Sequence, residues 1–270
     1  MAITTLDGAL AGMQPARYFA KNVTGTMVAG RPWSTWALAG NPGAGSFNGT
    51  LAGVALDSTS AQVNGQIPFT NPVSGNSYLA RFQAGATIAG TLLLCDRLWH
   101  NGGFTITSNT SQTVNSATFP ARDLNGSTNG DGVLLGLEIS ASAGAAAPTI
   151  TVGYTNQSGT ASRTATNSFP TANSPAAGSF FPIGLQAGDT GVRSVQTLQL
   201  SASWVSGTMN LVAYRVLAAL ELTGANVPNA IDALTSGFPR LYYGVVPFLV
   251  FIPSTTTTSN ISGQMIVTQG

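Results

Sequence analysis

Charged side chains are scarce in this chain, and that scarcity limits which residue types can form its solvent-exposed surface. The 270 residues include 10 Lys and Arg and 9 Asp and Glu, so that only 7% of the chain is charged. Ordinary soluble domains are about 25% charged. A compact monomer of this length exposes about 11,000 Å² of surface, which leaves roughly one charge per 600 Å². Such a surface consists of Ser, Thr, Asn, Gln and Gly, or it is covered by other chains.

The same composition excludes several classes of protein. Disorder is not expected, because 43% of the residues are hydrophobic and the net charge is +1. A nucleic-acid partner is not expected either, since the ten cations are spread from Arg17 to Arg240 and form no basic stripe. No stretch of about 18 apolar residues predicts a membrane span. The first residues lack a secretory leader pattern, so we expect synthesis in a host cytoplasm without export.

Short strand patterns separated by turn residues dominate residues 46–270. In VQTLQLSASW, Leu198, Leu200 and Trp204 fall on one face of a strand, and the turn at Ser206 leads into a partner strand. The segment TITVGYT predicts the first strand of a second hairpin, its inner face lined by Ile150, Val152 and Tyr154. About a dozen such patterns predict an all-β fold, a β-sandwich or jelly roll. One short internal helix is predicted over residues 227–237.

Residues 1–45 lack this pattern and predict an extended N-terminal arm. Thr5 or Asp7 is a possible helix N-cap, but Gly8, Gly12 and Pro15 interrupt the pattern, so at most one short helix is expected here. Aromatic side chains in such a segment need a surface to lie against, either the body of this chain or that of a neighbour. The candidate interface residues of this arm are Arg17, Tyr18, Phe19, Arg31, Trp33 and Trp36.

The residues that catalysis needs are sparse, so no catalytic or cofactor-binding residue is predicted. His100 is the sole histidine, and its position between Trp99 and NGG favours a turn or interface role. Neither a nucleophile elbow nor a phosphate-binding loop motif occurs. Cys95, the lone cysteine, lies in the apolar run TLLLC and is expected to be a buried, inert thiol.

Two groups of carboxylates have spacings that could serve catalysis or metal binding. Glu138 and Glu221 lie in apolar strand patterns, where they would form a glycosidase pair or, as buried Glu more commonly does, pair with Arg; Arg215 is the candidate counter-ion. The segment Asp123–Asp131 spaces oxygen ligands at every second residue. It lacks the glycine and glutamate of a calcium loop, which favours a polar loop with Asn-Gly turns, and no metal site is predicted.

Several Arg residues stand beside or near acids in the sequence, which predicts local ion pairs that fix loops or subunit contacts. The expected pairs are Asp96 with Arg97, Arg122 with Asp123, and Asp189 with Arg193.

Four segments of the chain resemble structural proteins of tailed bacteriophages, of the kind that decorate or cement the capsid. They are DRLWHNGGFTITS, GLQAGDTGVRSVQ, NLVAYRVLAALEL and VPNAIDALTSGFPRLY. The resemblance implies a β-rich virion protein, often a homotrimer, that sits on or between subunits of the major capsid protein. It transfers no individual functional residue, because this class is not defined by a site.

Three functions therefore remain open from the sequence. The first is a virion structural protein, namely a capsid decoration (cement) or minor capsid protein, without enzymatic activity or cofactor. The second is a tail or baseplate adhesin that binds a glycan through exposed aromatic residues such as Tyr242 and Tyr243. The third is a glycosidase that uses Glu138 and Glu221.

Overall fold

The computed structural model describes residues 3–59, 62–167, 174–237 and 239–270, and these residues are nearly all in strands and loops. The strands are β1 (Arg17–Val23), β2 (Trp33–Ser34), β3 (Gly40–Asn41), β4 (Val54–Ala55), β5 (Ser77–Ala86), β6 (Gly90–Asn101), β7 (Gln112–Thr113), β8 (Leu134–Ala141), β9 (Ile150–Asn156), β10 (Arg163–Asn167), β11 (Phe180–Gly184), β12 (Val192–Leu200), β13 (Thr208–Leu222), β14 (Asn229–Asp232), β15 (Arg240–Leu241), β16 (Pro247–Pro253) and β17 (Ser259–Gln269). The helices are α1 (Leu6–Ala11) and α2 (Ala233–Ser236).

These strands form two sheets, which confirms the predicted all-β, β-sandwich class. The smaller sheet has the order β14-β5-β17-β1-β3, with β15 also paired to β5. The larger sheet has the order β2-β16-β6-β13-β8-β11-β10-β9-β12-β7, with β4 also paired to β6. Every pairing between these strands is antiparallel.

The long strands β6 and β13 connect two hydrophobic cores. At one end, Leu92 and Leu94 pack with Phe82 of the smaller sheet, which closes the sandwich. At the other end, Trp99 and Leu211 belong to a core that the larger sheet encloses by curling over itself. Two register shifts in the β6–β13 ladder mark β-bulges, which bend strands and strengthen their twist. A single pair of strands can therefore serve both cores.

A third core covers the opposite face of β6, β13 and β16. Trp36 lies there against Phe248, with ring centroids 6.1 Å apart, and its indole N–H donates to the Ser46 carbonyl at 2.9 Å. Cys95 and Val212 belong to the same cluster. The loop around Trp36 thus shields a sheet face that would otherwise be exposed to water.

The structure corrects the predicted N-terminal arm. β1 pairs with β17 along its whole length, and β2 pairs with β16. Phe19, Trp33 and Trp36 are buried. Within the described parts of the chain, residues 3–45 share sheets and cores with the residues that follow residue 45, and the predicted boundary between arm and body does not separate them. Two-residue strands such as β2 and β3 are too short to show alternation, which is why the sequence pattern missed them.

Two further local predictions need correction. Residues 227–237 are helical only at α2, because Asn229–Asp232 pairs instead with the edge of β5. The predicted hairpin between β12 and β13 is also wrong: β12 pairs with β9 and β7, and β13 pairs with β6 and β8. The apolar alternation in β12 ends at Leu200, although Trp204 beyond it is buried.

The second predicted hairpin is confirmed. β9 pairs with β10 from Tyr154 opposite Arg163 to Thr151 opposite Thr166. Ile150, Val152 and Tyr154 all lie in the core enclosed by the larger sheet.

If β1 is an integral strand, its two faces should respond differently to truncation. Phe19→Ala removes a buried ring and should lower the free energy of unfolding by about 3–5 kcal/mol. Tyr18→Ala removes a side chain that is 57% exposed and should change it by less than about 0.5 kcal/mol. Urea unfolding of both variants measures the difference, and equal, small effects would restore the interpretation of a loose arm.

Candidate functional site

More than a third of the charged side chains of this protein are buried. Seven of the 19 charged side chains are buried: Lys21, Asp96, Arg97, Arg122, Asp123, Glu138 and Arg215. The remaining twelve are spread over 10,699 Å² of surface, about one per 900 Å². The surface is thus even poorer in charge than the composition alone predicts.

Arg97 on β6 and Glu138 on β8 form a buried ion pair. The Arg97 Nη2 lies 2.7 Å from the Glu138 Oε2, and neither side chain is more than 1% exposed. The guanidinium carbon lies 4.5 Å from the Trp36 ring centroid, in a cation–π geometry. The prediction that buried Glu138 pairs with an arginine is confirmed. The partner is Arg97, whereas Arg215 donates to the Arg240 carbonyl.

Asp96 and Arg122 form a second buried pair, which holds four segments together. Arg122 donates from Nε at 2.9 Å and from Nη2 at 3.2 Å to the two oxygens of Asp96. Its Nη2 also donates to the Leu56 carbonyl, and Asp96 accepts from the Val246 N–H at 3.0 Å. The pair therefore ties β6 to the loop around residue 56 and to the chain entering β16.

The ion pairs join residues far apart in sequence, so the predicted local pairs are corrected. Adjacent strand residues such as Asp96 and Arg97 point to opposite faces of the sheet, which prevents them from pairing. Asp189 likewise pairs with Arg163, at 2.9 Å, and not with Arg193. Hydrogen bonds from Arg163, Tyr154 and Asn156 lower the pKa of Asp189 to about 2, although burial opposes them.

His100 is buried within β6, so the prediction of a turn or interface histidine is wrong. β6 continues to Asn101, and β4 pairs over His100. Its Nδ1 lies 3.2 Å from the Arg97 Nη2, and its ring meets Trp36 edge-on at 6.4 Å. Burial and the Arg97 charge lower the pKa of His100 to about 3. A neutral imidazole with so low a pKa is a poor general base at neutral pH.

Glu138 and Glu221 lie too far apart to form a glycosidase pair. Asn210 of β13 stands opposite Glu138, and Glu221 lies further along the same strand. At about 3.3 Å per residue, that separation is on the order of 35 Å. Glycosidase carboxylates stand about 5–10 Å apart. Glu221 is exposed and accepts hydrogen bonds from the Thr91 hydroxyl.

The Asp123–Asp131 segment is a loop closed by its own hydrogen bonds. The Asp123 Oδ1 accepts from the N–H groups of Asn125 at 2.9 Å and Ser127 at 2.7 Å. Its Oδ2 accepts from the Ser127 hydroxyl and from the N–H groups of Gly130 and Asp131. Five donors already surround this carboxylate, which leaves it unsuited to bind a cation. The described residues contain no group of three or more metal-ligating His, Cys, Asp or Glu.

Cys95 is confirmed as a buried thiol. It lies in the core beneath Trp36, fully shielded from solvent. Burial, together with the nearby Asp96 charge, raises the pKa of the thiol well above its ordinary value. Reactivity as a nucleophile is therefore suppressed.

The candidate interface residues fall into two groups. Phe19, Trp33 and Trp36 fill this chain's own cores. Tyr18 is 57% exposed, whereas Arg17 and Arg31 are partly buried: Arg17 donates to the Thr70 hydroxyl at 3.0 Å, and Arg31 lies over the Phe181 ring. Contact with another molecule stays a prediction for Tyr18, Arg17 and Arg31, and the three buried rings are unavailable for it.

An apolar ridge at the N-terminus is the surface feature that the sequence patterns missed. Leu6, Leu10 and Met13 are 70%, 56% and 42% exposed. Leu6 and Leu10 lie on one face of α1, and Met13 follows the helix in a bridge to Thr268 of β17. A cavity of about 420 Å³ lies beside Leu6. The one short helix that the sequence allowed here is present as α1, and Thr5 caps it by accepting from the Gly8 N–H at 3.0 Å.

The ridge, which we define as Leu6, Leu10 and Met13, is anchored to β17 by hydrogen bonds. Ala9 is buried beneath it, and its carbonyl accepts from the Thr268 hydroxyl of β17 at 2.6 Å. The Gln14 N–H donates to the Val267 carbonyl at 2.8 Å. Exposed apolar surface that is fixed in place is typical of an interaction surface.

Over the parts of the chain that the structure describes, no helix is long and apolar enough to cross a membrane.

Comparisons with known proteins do not identify a family for this chain. The sequence matches no family model and no curated protein. Among solved structures, the chain is 9% identical to VP2 of infectious bursal disease virus in its subviral particle, with a TM-score of 0.23, over 95% of this chain and 80% of that chain. A T=1 particle derived from the same virus gives 10% identity and a TM-score of 0.22, over 96% and 79%. These are viral capsid structures, but TM-scores this low do not indicate a shared fold, so the likeness carries no inference about this chain.

Removing only one partner of the Arg97–Glu138 pair should destabilise the fold strongly, whereas removing both partners should not. Arg97→Met leaves Glu138 buried without a counter-ion and should lower the free energy of unfolding by about 3–5 kcal/mol. Arg97→Met combined with Glu138→Leu should recover most of that loss, because no buried charge remains unpaired. The measurement is a double-mutant cycle: the free energy of unfolding by denaturant is determined for both single variants and for the double variant. A double variant as unstable as the sum of the singles would contradict this account.

His100 should make the fold sensitive to acid. Its pKa is about 3 in the folded chain against 6.5 ordinarily, so the unfolded chain takes up the proton first as pH falls. Stability from this residue is complete above pH 6.5 and declines between pH 6.5 and 3, by roughly 1.4 kcal/mol per pH unit. Unfolding of wild type and His100→Gln at several pH values isolates the effect from that of the carboxylates. Parallel pH profiles for the two proteins would show that His100 does not titrate in this way.

Proposed function

We propose that this chain is a structural protein of a virus particle, a capsid decoration or cement protein that acts by packing against other subunits. The observation that carries the proposal is the surface: about one charge per 900 Å², with a fixed apolar ridge at Leu6, Leu10 and Met13. The resemblance of four segments to tailed-bacteriophage proteins suggests the kind of virion. The chain would then act without enzymatic activity, in keeping with the inaccessible His100 and the separated glutamates.

A surface of this kind is well suited to docking. Charged groups lose hydration when an interface forms, and that loss often exceeds the attraction gained. Uncharged Ser, Thr, Asn and Gln side chains lose less and form water-bridged contacts readily. Each docked copy then stabilises the shell by mass action, since the assembled state binds it and the disassembled state does not.

The partners of this proposal are the major capsid protein and further copies of this chain. A closed symmetric assembly such as a homotrimer is the expected form, because most homo-oligomers close by rotation. The ridge is the surface we assign to these contacts, since it brings three exposed apolar side chains together within eight residues of the chain, and apolar side chains gain free energy on leaving water.

The glycan-binding alternative through Tyr242 and Tyr243 is weakened by the structure. The Tyr242 hydroxyl donates to the Leu124 carbonyl at 2.8 Å, and the guanidinium groups of Arg215 and Arg240 lie over its ring at 5.2 and 4.6 Å. That ring is therefore engaged within the chain, and only Tyr243, at 59% exposed, stays available.

The ridge can be tested directly on particles. The double variant Leu6→Gln, Leu10→Gln should fold normally, because both side chains are exposed, but bind at least about tenfold more weakly to virions stripped of the protein. Re-decorated particles should accordingly lose resistance to heating. Co-sedimentation measures the binding, and Val73→Gln, which changes a fully exposed valine elsewhere, is the matched control.

Two outcomes would overturn the proposal. One is a wild-type protein that neither associates with itself nor with stripped particles. The other is a ridge variant that rebinds and protects particles as well as the Val73→Gln control does.

A further inference from the structure

The outer face of the smaller sheet carries an open groove of about 490 Å³. Alternation along the strands places its lining: Phe19, Phe82 and Ile261 point into the core, so their neighbours on β1, β5 and β17 point outward. The lining includes Tyr18, Gln83, Asn226, Asn260, Ser262 and Gln264. A volume of this size lies in the range of small-ligand sites.

The chemistry of this groove is neutral and rich in hydrogen-bonding groups. None of its lining residues is charged. A single nucleic-acid strand or a phosphate needs cations, and an ionic peptide needs opposite charges, so these ligands find no partner here. Amide side chains present both donors and acceptors. Gln83 and Gln264 stand opposite one another on β5 and β17, and the Gln264 Nε2 donates to the Gln83 Oε1 at 3.3 Å.

One aromatic ring completes the groove. Tyr18 is 57% exposed, and it supplies an apolar face with a polar tip. Gly85 lies on the outward face of β5 and keeps the floor of the groove low. At Gly85 a Cβ would meet nothing closer than Pro228 at 3.5 Å, so a side chain there would extend into the groove.

We propose that this groove binds a neutral oligosaccharide. The ring of Tyr18 would stack on the C–H face of a sugar, and the amides of Gln83, Gln264 and Asn260 would hydrogen-bond its hydroxyl groups. An uncharged ligand with many hydroxyl groups matches a lining that has many amides and no charge. This site is independent of the proposed capsid role and of the Tyr242 and Tyr243 pair. A virion protein with such a groove would hold its particle against a glycan-coated surface.

A glycan array tests the ligand class. The wild-type chain should bind neutral glucan, galactan or N-acetylhexosamine oligomers in a saturable manner, and sialylated or sulfated counterparts should bind no better. Titration calorimetry with the best neutral oligomer then locates the site. Tyr18→Ala should weaken binding about tenfold or more. Gly85→Val should weaken binding about tenfold or more, because its side chain extends into the groove where the sugar would lie, and a β-branched side chain suits a strand.

Tyr243→Ala is the matched control, because Tyr243 is exposed to the same degree, at 59%, and lies outside the groove. It should bind as wild type, and all three variants should keep the wild-type melting temperature within a few degrees. Three results would overturn the proposal: no binding to any neutral oligomer, loss of binding with Tyr243→Ala alone, or a change in oligomeric state with Tyr18→Ala and Gly85→Val, which would make this face a contact between copies. The ridge variant should retain glycan binding, so this proposal and the capsid role can fail separately.

Discussion

Two ion pairs buried beneath the loops that cover β6 decide how this fold is closed. Removing a charge from water costs several kcal/mol, and only a well-placed counter-ion offsets the cost. The loop around residue 56 and the start of β16 must therefore lie where Arg122 and Asp96 can contact them. Arg97 likewise fixes Trp36 above the sheet through its pair with Glu138. The pairs act less as a source of stability than as a constraint on which loop covers which strand.

This use of charge has a consequence for the surface. A chain with 19 charged residues that buries seven of them has few left to keep copies of itself apart. Its outer faces are consequently hydrated by hydroxyl and amide groups, which can be covered at small cost. The neutral groove and the apolar ridge are two results of the same distribution. Both fit a molecule whose contacts are made by shape and hydrogen bonding instead of long-range electrostatic attraction.

The sequence predicted those parts of the structure that depend on local pattern. Alternation located the β9–β10 hairpin, and the apolar run around Cys95 indicated its burial. It could not give the partner of Glu138, because Arg97 lies on a different strand and only the sheet order brings the two together. It also missed the ridge, because the exposure of Leu6 and Leu10 depends on which face of α1 lies against β17. The wrong predictions therefore concern contacts between residues far apart in the sequence, which local sequence patterns do not encode.

The ridge and the groove lie on the two ends of one strand, and that placement bears on whether both can be used at once. β17 contributes Ser262 to the groove, while its Thr268 anchors α1 beneath the ridge. At about 3.4 Å per residue, these positions are on the order of 20 Å apart. Tyr18 itself stands opposite Gln264, on the order of 14 Å from Thr268 along β17, so a subunit seated on Leu6 and Leu10 leaves it accessible only if that subunit does not extend along β17. Since β17 is the central strand of the smaller sheet, paired on both sides, the spacing between the two surfaces is fixed by the backbone and survives the loss of either.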